Sequence, residues 1–497
     1  MNTWRAAFLW FLAIMTAVRV FYAIRLGLGD DEAYYWEWGQ RLALSYFDHP
    51  PLTAWIGRIT CEILGNNEGG FRAGALASSF LFTALLYMLA FRITGSDRTA
   101  FFSAVFISWI PIFAAGAFMM VPDAPLSLFW MASLYVFSRL IDTKRPAWWY
   151  VLGVLFGLGL LSKYNMILLP LCAAAFFALS KEHRFWLKRL EPYYALCIGI
   201  IIFSPVISWN ASHGFSSFAF QFAGRHAHRL SWLPFQLYLA GQLGYLSPLV
   251  FVAALGAMVQ LTRKALWGRD PKTGFLFSFS VPYFLVFSIA CSLSPTSKPH
   301  WPVLGYIPAL LYCAQSFDGA LAGKPRRRRP LTVYGWLTFG TMLLVSLLLY
   351  CQSLYPVIKL SGNADATNEL YGWNTVGRRI DEMIQSGSGP AGTFIFATRY
   401  NIASQVAFYT GGRYPVYSIN PKREQHDIWG RGSLEGLEGK NAIFVSDERY
   451  TNDATREYRF EHISGRDTVC IFRAGRPVKM VYLTQCFHFL GPASRQQ

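Results

Sequence analysis

The feature that most limits the fold is a succession of apolar runs, about eleven of them, each near the twenty or so residues needed to cross a hydrocarbon core roughly 30 Å thick. They fall at residues 4–24, 72–92, 100–118, 125–141, 148–162, 166–180, 193–209, 236–260, 274–292, 301–315 and 332–351. Backbone N–H and C=O groups in lipid must be satisfied within the chain, so such runs fold as helices. The 497-residue chain is 53% hydrophobic and only 15% charged, which excludes a soluble globular protein and leaves a polytopic α-helical membrane protein. Arg19 interrupts the first run and no small-residue cleavage site follows, so it reads as an uncleaved helix rather than a signal peptide.

Charge then orients the helices. The formal charge is +17, from 45 basic against 28 acidic residues. One alternate set of loops holds Arg92 and Arg98, then Arg139, Lys144 and Arg145, then Lys181 to Arg189, Arg263 to Lys272, and Lys324 with Arg326 to Arg329. The other set holds only Arg25, Arg41, Arg58, Lys163, Arg225, Arg229 and Lys298. The basic set is cytoplasmic by the positive-inside rule, which also assigns the excess charge to anionic headgroups rather than to nucleic acid. The amino terminus is then inside, and the loop of about residues 25–71 and everything after 351 face outward.

The tail changes in composition. It is polar and Gly-rich, with short β-type runs GTFIFA (392–397), NAIFVS (441–446) and TVCIFR (468–473) and an amphipathic segment over Tyr400–Tyr409. These predict two domains: a transmembrane domain over 1–351 and a small α/β domain on the outer face over 352–497. Cys172, Cys197, Cys291 and Cys313 lie in apolar runs, and no cysteine sits in a CxxC or Cys/His metal spacing. Cys470 and Cys486 are the pair placed to form a disulfide in an oxidising compartment.

The outward loops carry ionisable residues that lipid anchoring does not require. The stretch GDDEAYYWEWGQRLALSYFDHPP, Gly29 to Pro51, opens on Asp30, Asp31 and Glu32, continues through Glu37 and closes on Asp48 and His49. Asp123 stands between Pro122 and Pro125, Lys163 lies in SKYN, and Arg225, His226, His228 and Arg229 lie in GRHAHRL. Simple readings exist for several of them. Asp30 and Glu32 fit a solvated turn; Tyr34, Tyr35, Trp36 and Trp38 fit an interfacial aromatic belt; Lys163 and Arg225 fit snorkelling cations; His300 in KPHWP fits an interfacial structural role. Asp123 fits none of these, because a carboxylate at an apolar helix end is costly without a function. The sharper expectation is that Asp31, Asp48, Asp123, Lys163 and Arg225 converge in a cleft at the outer membrane surface. Such a cleft binds a phosphate with its bases and takes a proton with its acids.

These residues also carry a resemblance. DDEAYYWEWGQRLALSYFDHPPLTAW, VPDAPLSLF, SKYN and KPHWPVLGYIPA together resemble the GT-C superfamily of membrane glycosyltransferases, near its bacterial protein mannosyltransferase and lipid A aminoarabinose transferase branches. The resemblance implies transfer of one sugar from a polyprenyl-phosphate donor to a lipid A, lipopolysaccharide or other envelope glycan acceptor at the periplasmic face of the bacterial inner membrane. Protein O-glycosylation within the same fold is the alternative, and a lipid or sugar transporter is a third. By the resemblance, Asp31 is the candidate catalytic base with Tyr35 beside it, Asp123 is a second catalytic acid, and Asp48 with Asp123 offers a site for a divalent metal ion. The aminoarabinose branch has Glu-Lys-Pro-Pro where this chain has Asp48-His49-Pro50-Pro51. A permanent cation is thus replaced by one that needs protonation, which shifts the phosphate-binding role toward Lys163 and Arg225.

Overall fold

The computed structural model describes residues 2–222, 232–268, 270–294, 298–323, 325–386, 392–450 and 457–492. In order, the helices are α1 (Thr3–Arg25), α2 (Asp30–Gln40), α3 (Leu52–Leu64), α4 (Glu68–Thr94), α5 (Asp97–Ser108), α6 (Pro111–Gly116), α7 (Asp123–Thr143), α8 (Ala147–Ser162), α9 (Leu168–Leu179) and α10 (Glu191–Ser212). There follow α11 (Ser216–Phe222), α12 (Trp232–Leu246), α13 (Pro248–Trp267), α14 (Pro271–Ser278), α15 (Val281–Leu293), α16 (Val303–Ala322) and α17 (Pro325–Leu354). The tail holds α18 (Trp373–Ser386), β1 (Thr393–Ala397), α19 (Tyr400–Tyr409), β2 (Val416–Ser418), α20 (Gln425–Ile428), β3 (Asn441–Asp447), β4 (Tyr458–Arg473) and β5 (Arg476–Pro492).

Helix covers every apolar run, and the chain is a helical membrane protein. Among the described residues seven helical segments are long and apolar enough to span by themselves, and Ala147–Ser162 and Tyr164–Leu179 are shorter apolar segments. Breaks explain part of the difference from the eleven runs. The run at 100–118 is split where Pro111 starts α6, and the run at 236–260 is split at Ser247, whose φ of 74° lies outside the helical range and precedes Pro248. A proline at the first helical position lacks the N–H that would continue the preceding helix.

The chain divides into two compact units. The first comprises residues 1–21, 49–53 and 73–349; the second comprises 22–48, 54–72 and 350–497, so the loop after α1 belongs with the tail. In the first unit, Trp130 packs on Tyr283 with ring centroids 4.7 Å apart, and Phe137 packs on Phe279 at 4.8 Å. Gly153 and Gly157 let α8 approach α10 closely. A Cβ on Gly157 would lie 2.6 Å from Ile202 Cβ, and one on Gly153 would lie 2.7 Å from the Ala195 carbonyl, so the packing of small residues that brings membrane helices together is used here.

The second unit is built on a five-stranded sheet of order β2-β1-β3-β5-β4. β1 pairs in parallel with β2 and β3, while β5 runs antiparallel to β3 and β4. Ala474 and Gly475, with φ of 49° and 75°, turn β4 into β5 across the Arg473 and Arg476 pair. Two successive positive φ values match the twist of the flanking strands. The disulfide is not formed: Cys470 faces Met480 and Cys486 faces Ile463 across the ladder, and all eight cysteines are free.

Candidate functional site

In the first unit, chemistry gathers where α7 begins and α8 ends. Asp123 occupies the first turn of α7, where the partial positive charge of the helix terminus favours an anion. α8 stops at Ser162; Lys163 turns extended (φ −159°, ψ 142°) while its N–H still donates to the Gly159 carbonyl at 3.0 Å. That turn lets the lysine reach Asp123. Its Nζ donates to both carboxylate oxygens, at 2.9 and 2.7 Å. Lys163 is 4% exposed, and a buried ammonium without a partner would be strongly destabilising, so the ion pair with Asp123 offsets its burial and aims it.

Two imidazoles complete this group. His300 Nε2 lies 3.8 Å from Asp123 Oδ2, and the buried His49 is among the groups whose charge acts on Asp123. An ammonium held on this carboxylate can hold a phosphate oxygen, and imidazoles gathered at the same carboxylate add attraction only when protonated. Of the residues expected to converge, Asp123 and Lys163 meet directly, whereas Asp31 and Asp48 belong to the second unit. The structure adds His300, which the sequence presented as structural; the only hint was that KPHWP, like VPDAP, places a charge-bearing residue between prolines at the end of an apolar run. Arg225, with His226, His228 and Arg229, lies outside the described residues.

In the second unit, the acids at the start of α2 have separate duties. Glu32 accepts the Gly29 N–H at 3.0 Å and forms an ion pair with Arg72 that is fully buried on both sides. Arg72 also donates to the Leu26 and Gly27 carbonyls at 2.6 and 2.7 Å. Asp30 accepts from Asn401 at 2.9 Å, Gln405 at 3.1 Å and Arg449 at 2.8 Å. Neither is a solvated turn; both tie α2 to its surroundings. Asp31 is the exposed member, and its Oδ1 accepts from the Tyr400 hydroxyl at 3.1 Å.

Asp48 is linked to Asp31 through two tyrosines. The Tyr34 hydroxyl donates to Asp48 Oδ2 at 2.8 Å, and the Tyr34 and Tyr400 rings lie 4.5 Å apart. Tyr35 is buried with its ring edge-on to Trp38 at 4.9 Å, so these aromatics pack inside the unit instead of forming an exposed belt. Close by, Glu369 is pushed up to about 7, first by burial and then by the charges of Asp30 and Asp31. Tyr400 and Glu369 belong to the tail, where no motif marks them.

A third group in this unit is a buried charge cluster. His426 Nε2 lies 3.1 Å from Glu37 and its Nδ1 lies 3.4 Å from Glu424. Burial opposes the positive charge, but the two carboxylates outweigh it and lift His426 to about 9. Burial also opposes the charge on Glu37, which is nonetheless held below its ordinary value by His426, Arg41 and Ser404.

Known proteins resemble this chain in sequence and in fold. The family model described as dolichyl-phosphate-mannose-protein mannosyltransferase matches residues 48–209, which include His49, Asp123 and Lys163. The structure of ArnT from Cupriavidus metallidurans bound to undecaprenyl phosphate superposes with a TM-score of 0.63 at 16% identity, over 97% of this chain and 98% of that one. The chain shares that fold. The archaeal oligosaccharyltransferase AglB from Archaeoglobus fulgidus is similar in fold, with a TM-score of 0.52 at 12% identity, over 89% of this chain and 70% of that one. In sequence, the chain is 24% identical over 405 residues to the lipid A galacturonosyltransferase RgtD of Rhizobium johnstonii, covering 79% of this chain and 80% of that protein. It is also 24% identical to an undecaprenyl phosphate-alpha-4-amino-4-deoxy-L-arabinose arabinosyl transferase of Erwinia tasmaniensis, over 51% of this chain and 47% of that protein.

The divalent ion suggested for Asp48 and Asp123 does not fit the side chains present. Both Asp123 oxygens take hydrogen bonds from an ammonium and Asp48 takes one from a phenol. Among the described residues no group of three or more His, Cys, Asp or Glu side chains is placed to hold a metal.

Proposed function

We propose that this GT-C chain transfers a single sugar from a polyprenyl-phosphate donor to lipid A, a lipopolysaccharide sugar or another envelope glycan at the periplasmic face of the inner membrane. The observation that carries the reading is the buried Lys163 ammonium held on Asp123, with His49 and His300 acting on that carboxylate; Lys163, Asp123 and His49 fall in the segment matched by the mannosyltransferase model. The relation to a lipid A galacturonosyltransferase over four fifths of both chains supports the acceptor class.

In this reading the acceptor hydroxyl oxygen attacks the anomeric carbon while the bond from that carbon to the phosphate oxygen breaks. The bonding pair leaves with the polyprenyl phosphate, and the hydroxyl proton passes to a carboxylate. Asp31 is the base, with Tyr35 beside it. Lys163 and Arg225 bind the departing phosphate, His49 contributes when protonated, and Asp123 holds Lys163 in place. Fixed cations stabilise the charge that develops on the leaving group, and a positioned base contributes roughly 10²- to 10⁴-fold to such a step. The polyprenyl tail stays in the bilayer, so its phosphate meets these groups at the membrane surface; a count of about eleven spans, with the loop after α1 and the α/β tail on the periplasmic side, belongs to the same reading.

The test is a transfer assay with the full chain in membranes and a polyprenyl-phosphate sugar. Asp31→Asn loses roughly 10²- to 10⁴-fold of turnover with the fold retained; undiminished turnover removes Asp31 from the mechanism. Lys163→Gln raises the KM for donor as well as lowering kcat. The mannosyltransferase family match favours a second reading, protein O-glycosylation. Mass spectrometry of envelope lipids and proteins from cells with and without the gene separates the two, since a sugar missing from protein and not from lipid selects the second.

A further inference from the structure

A cavity of about 280 Å³ lies in the first unit between α13, α16 and α17, and none of its lining residues has a role in the transfer chemistry above. That volume is close to the lower end of small-molecule sites, roughly 300–1,000 Å³. Its wall is graded. Val252, Gly256, Gln260 and Lys264 recur every fourth residue of α13 and so share one face. The first three line the cavity, and Lys264 Nζ stands 5.1 Å over the ring of Tyr312, another wall residue, whose hydroxyl donates to Gln260 at 3.1 Å. The wall thus passes from hydrocarbon through an amide to a cation.

The partner helix repeats the pattern. α17 contributes Leu331 to Met342 to the wall, and the exposed Arg329 comes just before Leu331. Val252 and Leu331 are 59% and 45% exposed, so in a membrane chain the groove opens toward lipid. We propose that it holds one acyl chain of an anionic phospholipid whose phosphate sits at Lys264, Arg263 and Arg329. The bilayer supplies apolar chains to any lipid-facing cavity, and basic residues at one end of a groove between helices select the negatively charged headgroup. These residues lie in the loops read as cytoplasmic, so the lipid comes from the inner leaflet and is not the sugar carrier.

The test uses the full chain in nanodiscs of equal phosphatidylglycerol and phosphatidylcholine, transferred to detergent, with retained lipid counted by native mass spectrometry. The parent chain keeps one phosphatidylglycerol in preference to phosphatidylcholine. A Cβ at Gly256 meets nothing within 4 Å, so Gly256→Leu fills the groove without a clash and loses the retained lipid. Lys264→Gln lowers the preference for phosphatidylglycerol roughly fivefold. Equal retention of both lipids by the parent chain, or unchanged retention in Gly256→Leu, overturns the proposal. So does displacement of the bound lipid by added undecaprenyl phosphate at one-to-one stoichiometry, which would make the groove a carrier site.

Discussion

Lys163 and Asp123 illustrate how a buried charge is made tolerable at the scale of one residue. The pair is weak evidence of stability in itself, but removal of one member leaves the other stranded, at a cost of about 3–5 kcal/mol. Lys163→Met alone is therefore expected to lower the thermal stability more than Lys163→Met combined with Asp123→Asn, measured by unfolding of the purified chain. Glu369 supplies a second residue-scale test. Its carboxyl is raised from 4.5 to about 7 by burial and by Asp30 and Asp31. A group raised in the folded state contributes stability below its unfolded value, and that contribution is lost as pH rises through about 7. Glu369→Gln, which never charges, should then match the parent at pH 4.5 and exceed it at pH 8 by on the order of 1–2 kcal/mol, discounted for partial exposure. Equal melting temperatures at pH 8 would refute it.

At the scale of elements, α2 is held against α19 and α20 by polar side chains as well as by aromatic packing, such as Trp36 on Phe408 with centroids 5.0 Å apart. Ser404 donates to Glu37 at 2.9 Å, Gln405 to the Leu28 carbonyl at 2.9 Å, and the Gln425 N–H to the Tyr34 hydroxyl at 2.9 Å. His426 is the charge at the centre. Raised to about 9, it stabilises fully below 6.5 and ceases to do so as pH climbs through 9; Glu37, held low, stabilises above 4.5 and ceases to do so as pH falls through its lowered value. These two groups make the second unit most stable between about pH 5 and 6.5, with Glu369 drawing the optimum toward the lower end, and His426→Gln is expected to cost roughly 3–5 kcal/mol there with a smaller loss at pH 10. Hydrogen exchange of α2 and α19 across that range is the measurement. The α8 and α10 contact makes an independent prediction: Gly157→Leu, whose Cβ would lie 2.6 Å from that of Ile202, forces the helices apart and should lower the yield of folded protein in membranes, whereas Gly256→Leu should not.

Across the whole molecule, the asymmetry of Lys and Arg between alternate loops sets the expected orientation. An alkaline phosphatase fused after residue 497 should be active outside the inner membrane and inactive when fused after residue 324. The reverse result would remove the outward placement on which the transfer reading relies. Apolar runs, loop charge and β-type stretches were legible in the sequence because each is a local pattern: hydrocarbon demands helices, headgroups demand cations, and sheets demand short branched and aromatic runs. Asp123, Lys163 and Asp31 stand out in the sequence as candidates because ionisable groups at apolar helix ends are rare without cause. What sequence could not determine was which acids do which work. Asp30, Asp31 and Glu32 are adjacent, yet only their three-dimensional partners make Glu32 the anchor of Arg72, Asp30 the knot with Asn401, Gln405 and Arg449, and Asp31 the exposed carboxylate under Tyr400. Likewise only the tertiary structure joined the loop after α1 to a tail more than 300 residues later, brought His300 to Asp123, and left Cys470 and Cys486 unbridged. Periodicity and charge are properties of neighbours along the chain; the partner of a buried side chain is fixed by packing between distant segments, and no local pattern records it.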